Sequence, residues 1–355
     1  MNSLEKINSN KTIEINRFEK IIFFWFFGGT VLVFLMIVLG GVTRITDSGL
    51  SMVDWRLFMG IIPPLNNEQW LNLFSEYKKY PEYQMINFGM TLVEFKLIYW
   101  FEFSHRILGR FLGLFFIIPF IFFIYKKAIS IKKFLLIIFL IFLGGCQGFL
   151  GWYMVKSGLQ DNPDVSQYRL ASHYSLALLI YIILFWNTLS NMKVFKRPNK
   201  EVFKLDLYFL IFIPWLFFVM VSGVFVAGTD AGLLYNTYPL MNNEFFPYGF
   251  FDMSPKVLNF FENKITINFF HRVLTFITIL FVFLIWIRKL FIFKKDTLYR
   301  HHFFLLCVIF QFVIGIILVK YSIPTNYAIF HHIGALILIS SALYSFYGEV
   351  YEIRK

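Results

Sequence analysis

Long apolar runs separated by short polar segments dominate the chain. A membrane-spanning helix needs about 20 mostly apolar residues, and the pattern predicts such helices at about 20–42, 103–125, 133–151, 170–190, 206–228, 268–289, 302–320 and 329–350. Hydrophobic residues make up 58% of the 355 positions, which is too high for a soluble protein of this length. The sequence therefore predicts an all-α integral membrane protein with eight transmembrane helices and both termini on the same side.

The distribution of charge predicts the orientation. The formal net charge is +12, and Lys and Arg residues cluster in the segments "YKKAISIKK", "NMKVFKRPNKEVFK" and "IRKLFIFKKDTLYRHH". Positively charged loops stay in the cytoplasm, so these segments and both termini are expected to be cytoplasmic, in a bacterial inner membrane whose other side is periplasmic. Membrane orientation accounts for this charge, and no nucleic-acid partner is expected.

The ends and loops carry further signals. The polar stretch of residues 1–20 before the first apolar run is too long for a cleavable secretion signal, so we expect these residues to form a cytoplasmic tail. Two outer loops are long, at about 44–101 and 229–267. The stretch "EQWLNLFSEYKKY" in the first predicts an amphipathic helix at the membrane interface. Cys146 and Cys307 lie in apolar runs without metal-type spacing, so any redox chemistry must come from another group.

The chain also contains an internal repeat. "GGVTRITDSGLSM" resembles "SGVFVAGTDAGLLY", "SHRILGR" resembles "FHRVLT", and "ASHYSLALLIY" resembles "FHHIGALILIS". In the third predicted helix of each half, Gln147, Gly151 and Lys156 have the same spacing as Gln311, Gly315 and Lys320. The repeat predicts two pseudo-symmetric four-helix bundles in parallel, formed by residues 1–200, which include the outer loop 44–101, and by residues 201–355.

Histidines recur at one depth of this arrangement. The second, fourth, sixth and eighth predicted helices all enter from the outer side and open with His105, His173, His271 and the pair His331/His332. Each half thus supplies two histidines on two helices. Imidazole pairs on facing helices are what six-coordinate haem iron requires, so these residues are candidate metal ligands.

Two adjacent pairs need separate treatment. Neighbours on a helix point about 100° apart, so only one of His331 and His332 can face the partner histidine, and the repeat alone does not choose between them. His301 and His302 open the seventh predicted helix on the cytoplasmic side, within "LYRHH". We expect these two to be interfacial residues that reach toward the headgroups.

Arginines next to the candidate ligands suggest carboxylate recognition. Haem carries two propionates, and arginine binds carboxylates in a bidentate manner. Arg106 and Arg272, each following a candidate ligand, could bind them, or could serve as orientation or interface residues. Arg44 and Arg56 in the first outer loop are weaker candidates.

One acidic residue distinguishes the halves. Glu102 lies three residues before His105, on the same helical face, whereas the equivalent position before His271 is Asn268. A carboxylate beside haem can take up protons or stabilise a developing cation. The alternative is an i,i+4 ion pair with Arg106, which contributes a few tenths of a kcal/mol if exposed.

The motifs resemble those of a known family. The segments "GGVTRITDSGLSMVDW", "PEYQMINFGMTLVEFKLIYWFEFSHRILGR", "QGFLGWYMVKSGL", "VAGTDAGLLYNTYPLM" and "FHHIGA" make nearly the whole chain similar to heme A synthases of the alphaproteobacterial and mitochondrial type. The resemblance implies an oxidoreductase that converts a ring methyl of haem O, through hydroxylated intermediates, into the formyl group of haem A for cytochrome oxidase. It also implies two four-helix bundles, with substrate haem O in the amino-terminal half and haem b in the carboxy-terminal half.

The resemblance also assigns residues. It implies that Glu102, His105 and His173 belong to the catalytic half, and that His271 and His331 bind haem b, with His332 in place of the family's usual Gln. The partners it implies are haem O, the lipid bilayer, the synthase that supplies haem O and cytochrome oxidase assembly proteins.

Two other classes compete with this interpretation. A diheme electron-transfer cytochrome needs the same four histidines, but it has no use for Glu102 or the large first outer loop. A transporter is suggested by the repeat, but transporters place polar groups near the midplane. The small-residue face "GGCQGFLG" is compatible with packing within the chain or in a homo-oligomer. The electron acceptor and the oxygen source are not encoded in any motif.

Overall fold

Membrane-length helices account for most of the structure. The computed structural model describes residues 3–52, 60–158, 163–192, 206–292 and 298–351, with side chains for 18–52, 60–156, 163–192, 206–292 and 298–350. Within these residues, eight helices are long and apolar enough to cross a membrane, which confirms the predicted number. They are α1 (Ser3–Ile45), α4 (Leu92–Tyr125), α5 (Ile131–Gly158), α6 (Gln167–Asn191), α7 (Leu207–Gly228), α8 (Lys264–Ile292), α9 (Tyr299–Lys320) and α10 (Thr325–Tyr351).

The outer end of α4 extends further than the hydrophobic pattern predicts. The helix begins at Leu92 rather than near residue 103. A capping box fixes this start, because the Thr91 hydroxyl accepts from Glu94 N at 3.3 Å and Glu94 Oε2 accepts from Thr91 N at 2.8 Å. Helical backbone also extends through most of the predicted tail, since α1 runs from Ser3 into its membrane segment Phe18–Ile45.

The extended end of α4 carries the predicted amphipathic helix. It forms as α2 (Asn67–Tyr77) and is followed by the short α3 (Pro81–Met85). The predicted helix is therefore confirmed. The buried residues of its apolar face pack against α4. We define the outer cluster as the buried residues Met52, Trp70, Phe74, Tyr77, Phe95, Tyr99 and Phe103. This cluster fixes the first outer loop above one end of the helices.

Each half closes as a ring of helices. In the first half α1 contacts α4 and α6, and α5 contacts both of them; in the second half α7 and α9 each contact α8 and α10. The two rings meet through α1 and α6 on one side and α7 and α10 on the other. One continuous apolar core joins them, with Phe26, Leu178, Phe212 and Leu336 among its buried residues.

Polar contacts also cross between the halves. The Tyr181 and Ser340 hydroxyls are 2.6 Å apart, and the rings of Tyr174 and His332 lie with centroids 6.1 Å apart. Arg44, in the last turn of α1, donates to Ala227 O at 2.8 Å at the end of α7. The halves are therefore joined by hydrogen bonds as well as by apolar packing.

A buried charge cluster occupies the end of the second half that is predicted to face the cytoplasm. Lys289 is 0% exposed, and its Nζ donates to Asp206 Oδ2 and Glu349 Oε2 at 2.6 Å each. His301 Nε2 lies 3.5 Å from Glu349 Oε1, and His301 is only 3% exposed. The prediction of an interfacial His301 is therefore wrong, because the side chain points into this cluster. Its neighbour His302 is exposed and accepts from Trp286 Nε1 at 2.9 Å.

Candidate functional site

The structure brings the predicted histidine pairs together. His105 on α4 and His173 on α6 are close enough to act on each other electrostatically. His271 on α8 and His331 on α10 are related in the same way. Each half therefore holds two imidazoles on different helices of its ring, as the repeat predicts.

Glycines face these imidazole rings. A Cβ atom added to Gly40 would lie 3.1 Å from His105 Nε2, and one added to Gly223 would lie 3.0 Å from His271 Cε1. A Cβ atom added to Gly151 would lie 3.2 Å from His173 Cε1, and one added to Gly315 would lie 3.2 Å from His331 Cε1. The rings therefore pack on bare helix backbone, which explains the repeated Gly151 and Gly315.

Glutamines of the repeat hold two of the histidines. Gln147 Nε2 donates to His173 O at 3.0 Å and lies 3.3 Å from a ring nitrogen of His173. Gln311 Nε2 donates to His331 O at 2.9 Å and lies 3.2 Å from a ring nitrogen of His331. The two halves thus fix equivalent histidines with equivalent amides.

The adjacent histidines of α10 point to different places. His331 faces Gln311 and Gly315, in the same relation as His173 to its own glutamine and glycine. His332 points to α1 of the other half, where its Nε2 lies 2.9 Å from Ile37 O and its ring packs against Gly41. His331, and not His332, therefore occupies the position in its half that His173 occupies in the first half.

Glu102 is buried and holds the first outer loop. It is 3% exposed, and its Oε2 accepts from the Ser51 hydroxyl and from Met52 N at 2.7 Å each. Arg106 forms an ion pair with Glu102 and donates to Met52 O at 2.9 Å. The i,i+4 pair considered from the sequence therefore exists, but it is buried rather than exposed. Both oxygens of the Glu102 carboxyl group therefore have partners in the structure.

The second half repeats this arrangement without the charge. Asn268 Nδ2 donates to Ala231 O at 2.6 Å, and its Oδ1 accepts from Arg272 Nε at 2.7 Å. Arg272 also donates to Tyr235 O at 3.0 Å and to Thr237 O at 2.7 Å. An arginine after the histidine thus binds loop carbonyls in both halves, and among the described residues only the first half places a carboxylate beside it.

The loops that follow α1 and α7 also match in backbone conformation. Asp47 and Asp230 have φ values of 45° and 55° at equivalent positions of the repeat. Arg44 connects them, with an ion pair to Asp47 at 2.6 Å and one to Asp230 at 3.1 Å. Arg56, the other weak candidate from the sequence, lies outside the described residues.

The residues present fit two haem groups. Each half offers two imidazoles, the usual axial ligands of six-coordinate haem. Nδ1 of His173 is buried without a hydrogen-bond partner in the described part of the chain. In the second half, the Ser222 hydroxyl lies 2.8 Å from Nδ1 of His271, which suits the outer-shell partner of a metal ligand.

Sequence reasoning missed several of these partners. Ser51, Met52 and Ser222 touch the site, yet each is an ordinary residue in the printed sequence. A weak signal exists for Ser222, since it precedes Gly223 in a repeat motif. Ser51 and Met52 become partners of Glu102 only because the loop folds back onto α4.

Comparison with known proteins gives consistent matches. The family model described as COX15-CtaA, cytochrome oxidase assembly protein, matches residues 23–343. A heme A synthase of Nitrosospira multiformis is 42% identical over 330 residues, which are 92% of this chain and 92% of the relative. That of Parvibaculum lavamentivorans is 39% identical over 345 residues, 97% of this chain and 98% of the relative. That of Rickettsia felis is 40% identical over 325 residues, with coverage of 91% and 96%.

Proposed function

Because the chain belongs to the COX15-CtaA family of cytochrome oxidase assembly proteins, we propose that it is a heme A synthase. It oxidises one ring methyl group of haem O, through hydroxylated intermediates, to the formyl group of haem A for cytochrome oxidase. Full-length similarity to curated heme A synthases supports this activity. The protein is a multi-pass membrane protein, and we place its haem sites inside the helical bundles.

The observation that carries the proposal is the chemical difference between two equivalent sites. Both halves hold a histidine pair, an arginine and a folded-back loop, but the buried carboxylate of Glu102 is replaced by the amide of Asn268. A pair of electron-carrying sites has no need of this difference. An enzyme that modifies only one of its two haems does.

The first half binds the substrate. His105 and His173 hold haem O, and the glycine backbones beneath their rings fix the ring orientations. Glu102 lies one helical turn from His105, and Arg106, Ser51 and Met52 hold its two oxygens. Held by these partners one turn from His105, the Glu102 carboxyl group is positioned to stabilise positive charge that develops on the substrate during oxidation.

The second half binds a resident haem b through His271 and His331. When bound, this group supplies a redox centre that accepts and passes on single electrons. The Ser222 hydroxyl and the Gln311 amide orient the two imidazoles. Asn268 provides the same loop contact as Glu102 without adding charge.

We propose that Arg106 and Arg272 each bind the outer loop of their half and a haem propionate. Arg272 uses three N–H groups for Asn268, Tyr235 and Thr237, and a guanidinium carries five. The remaining donors suit a propionate oxygen. Arg106 holds the corresponding position in the first half, beside Glu102.

The cellular setting follows from the charge pattern. We place the protein in the bacterial inner membrane with the positively charged connections in the cytoplasm and both haem sites toward the periplasm. The lipid bilayer, the synthase that supplies haem O and the assembly proteins that receive haem A are its proposed partners.

The experiment is expression in a bacterium that makes haem O but lacks its own heme A synthase. Extracted haems are identified by chromatography and mass for the wild type, for Glu102→Ala and for the control Glu76→Ala, whose side chain is exposed on α2. We expect haem A or its hydroxylated precursor in the wild type and the control, and neither in Glu102→Ala. Haem b alone in all three proteins would refute the synthase and favour an electron-transfer cytochrome.

A further inference from the structure

The side chain of His332, near the start of α10, is anchored on a helix of the other half. Its Nε2 lies 2.9 Å from Ile37 O of α1, and because a carbonyl oxygen only accepts, the imidazole donates. The ring also packs on bare backbone, since a Cβ atom added to Gly41 would overlap it. We call residues 37–41 of α1 the shared turn. His332 is thus held by the shared turn through a hydrogen bond and through close packing.

The shared turn also contacts the half that we propose to bind substrate. A Cβ atom added to Gly40 would lie 3.1 Å from Nε2 of His105, the candidate ligand on α4. Gly40 and Gly41 are neighbours on a helix, so they face directions about 100° apart. The shared turn therefore lies between a candidate ligand of the first half and the neighbour of a candidate ligand of the second half.

The repeat separates the roles of the two glycines. When the matching loops after α1 and α7 are aligned, Gly40 corresponds to Gly223, and both face a candidate ligand. Gly41 corresponds to Val224, so a glycine at this position is not needed to pack a ligand. The glycine occurs only in the half on which His332 packs. The ring of His332 therefore explains why position 41 carries no side chain.

The anchor of His332 determines where His331 points. The two residues are neighbours on α10 and face directions about 100° apart, so a fixed His332 fixes the rotation of this turn of the helix. On the other side, Gln311 Nε2 of α9 donates to His331 O at 2.9 Å. The turn that carries the proposed haem b ligand is thus held by two helices, one from each half.

A third helix contacts the His332 ring. The ring centroid of Tyr174 on α6 lies 6.1 Å away, and the two ring planes are inclined by 53°, within the range that is favourable for aromatic pairs. His332 therefore contacts α1 and α6, the helices through which the first half meets the second. A shift between the halves at this place displaces His332 and, with it, the turn of His331.

We propose that His332 is a positioning residue, which sets the orientation of the haem b ligand His331 by holding α10 on α1 of the substrate half. The inference rests on the proposed function, because it takes His331 as a ligand of haem b. Outer partners orient the ligands of a metal and thereby tune the metal. His332 does so from across the interface, so the geometry of the haem b site depends on the half that binds haem O. No bond forms or breaks at His332.

The first test is electron paramagnetic resonance of the oxidised protein purified with both haems. The g values of a low-spin haem depend on the orientation of its two axial imidazoles, which outer partners control. We expect Gly41→Ala to shift the g values of haem b and leave the substrate haem unchanged, although residue 41 belongs to the substrate half. Gly40→Ala should do the reverse, through His105. Gly113→Ala, where a Cβ atom meets nothing within 4 Å, should leave both signals as in the wild type. An unchanged haem b signal in Gly41→Ala, or an equal change in both haems, overturns the proposal.

The second test changes the histidine itself. His332→Leu removes the donor to Ile37 O, and we expect it to shift the g values of haem b and to weaken haem b binding about tenfold. His332→Gln keeps an N–H group at a similar reach and should restore both. Thermal unfolding of the haem-free protein separates positioning from a merely structural role. A lower melting temperature of His332→Leu with the wild-type haem b signal overturns the proposal.

The outcomes also separate this proposal from the proposed function. If His332→Leu fails to fold, the adjacent pair Gly40→Ala and Gly41→Ala decides the question. Wild-type protein that makes no haem A rejects the proposed function. Normal haem A synthesis in the wild type, with the haem b signal unchanged in His332→Leu and Gly41→Ala, rejects only the positioning role of His332.

Discussion

The glycines beneath the histidine rings allow a quantitative prediction. In Gly151→Ala the new Cβ atom lies 3.2 Å from Cε1 of His173, whereas favourable carbon–carbon contacts begin at about 3.5 Å. The ring or the helix must therefore move by about 0.3 Å. Overpacking of this kind costs about 1–3 kcal/mol, or about 5- to 150-fold in an equilibrium constant. We expect Gly151→Ala to lose substrate haem by a factor in this range while haem b in the other half stays bound.

The assay is the haem content of purified protein from haem O-producing cells, resolved by chromatography. Gly148→Ala is the matched control, because it lies on the same helix and a Cβ atom there meets nothing within 4 Å. Alanine in a helix interior is favoured over glycine by about 0.5–1 kcal/mol, so the control should be neutral or slightly stabilising. Equal substrate-haem content in the two variants would refute the packing argument. Gly315→Ala, with the same 3.2 Å distance to His331, should instead lose haem b.

Two further substitutions probe the second half. Lys289→Met leaves Glu349 buried without its cation, and breaking a buried ion pair costs about 3–5 kcal/mol, so thermal unfolding in detergent should occur at a clearly lower temperature. Ser222→Ala removes the hydroxyl 2.8 Å from His271 Nδ1, and loss of such a partner lowers metal-site affinity about 10- to 100-fold, which extraction of haem b should detect.

Each of these two substitutions has a matched control in the same chain. Lys79 forms an exposed pair with Glu76, and such pairs contribute about 0–1 kcal/mol, so Lys79→Met should melt with the wild type. If Lys289→Met does the same, the buried cluster does not contribute to stability as argued. Ser172 precedes a histidine but donates to Tyr168 O of its own helix at 2.8 Å. Equal haem b content in Ser172→Ala and Ser222→Ala would contradict the role of Ser222.

The sequence predicted the features that depend on local periodicity. Apolar runs of membrane length predicted the eight spanning helices. The repeat predicted that His105 pairs with His173 and His271 with a residue of α10, because equivalent helices of a duplicated bundle occupy equivalent places. The outer part of α4 was missed because α2 covers it, so its side chains need not follow the pattern of a helix in lipid.

Features that depend on distant segments were not predictable in this way. Lys289 and His301 appear in the sequence as members of positively charged helix ends, which is the ordinary signal for the cytoplasmic side. Only the fold brings them to Asp206 and Glu349, far apart along the chain. Likewise, nothing local to Glu102 indicates that Ser51 and Met52 bind it.

The contact between Tyr174 and His332 makes the interface between the two halves asymmetric. These two residues occupy equivalent positions, each directly after a candidate ligand of its half. In a symmetric pair of identical bundles, a residue on the two-fold axis meets its own copy. Here Tyr174 meets His332 at 6.1 Å, and the histidine reaches onto α1 beside Gly41. This contact between the two halves is therefore made by unlike side chains at equivalent positions of the repeat, so it has a direction that a contact between identical residues would lack.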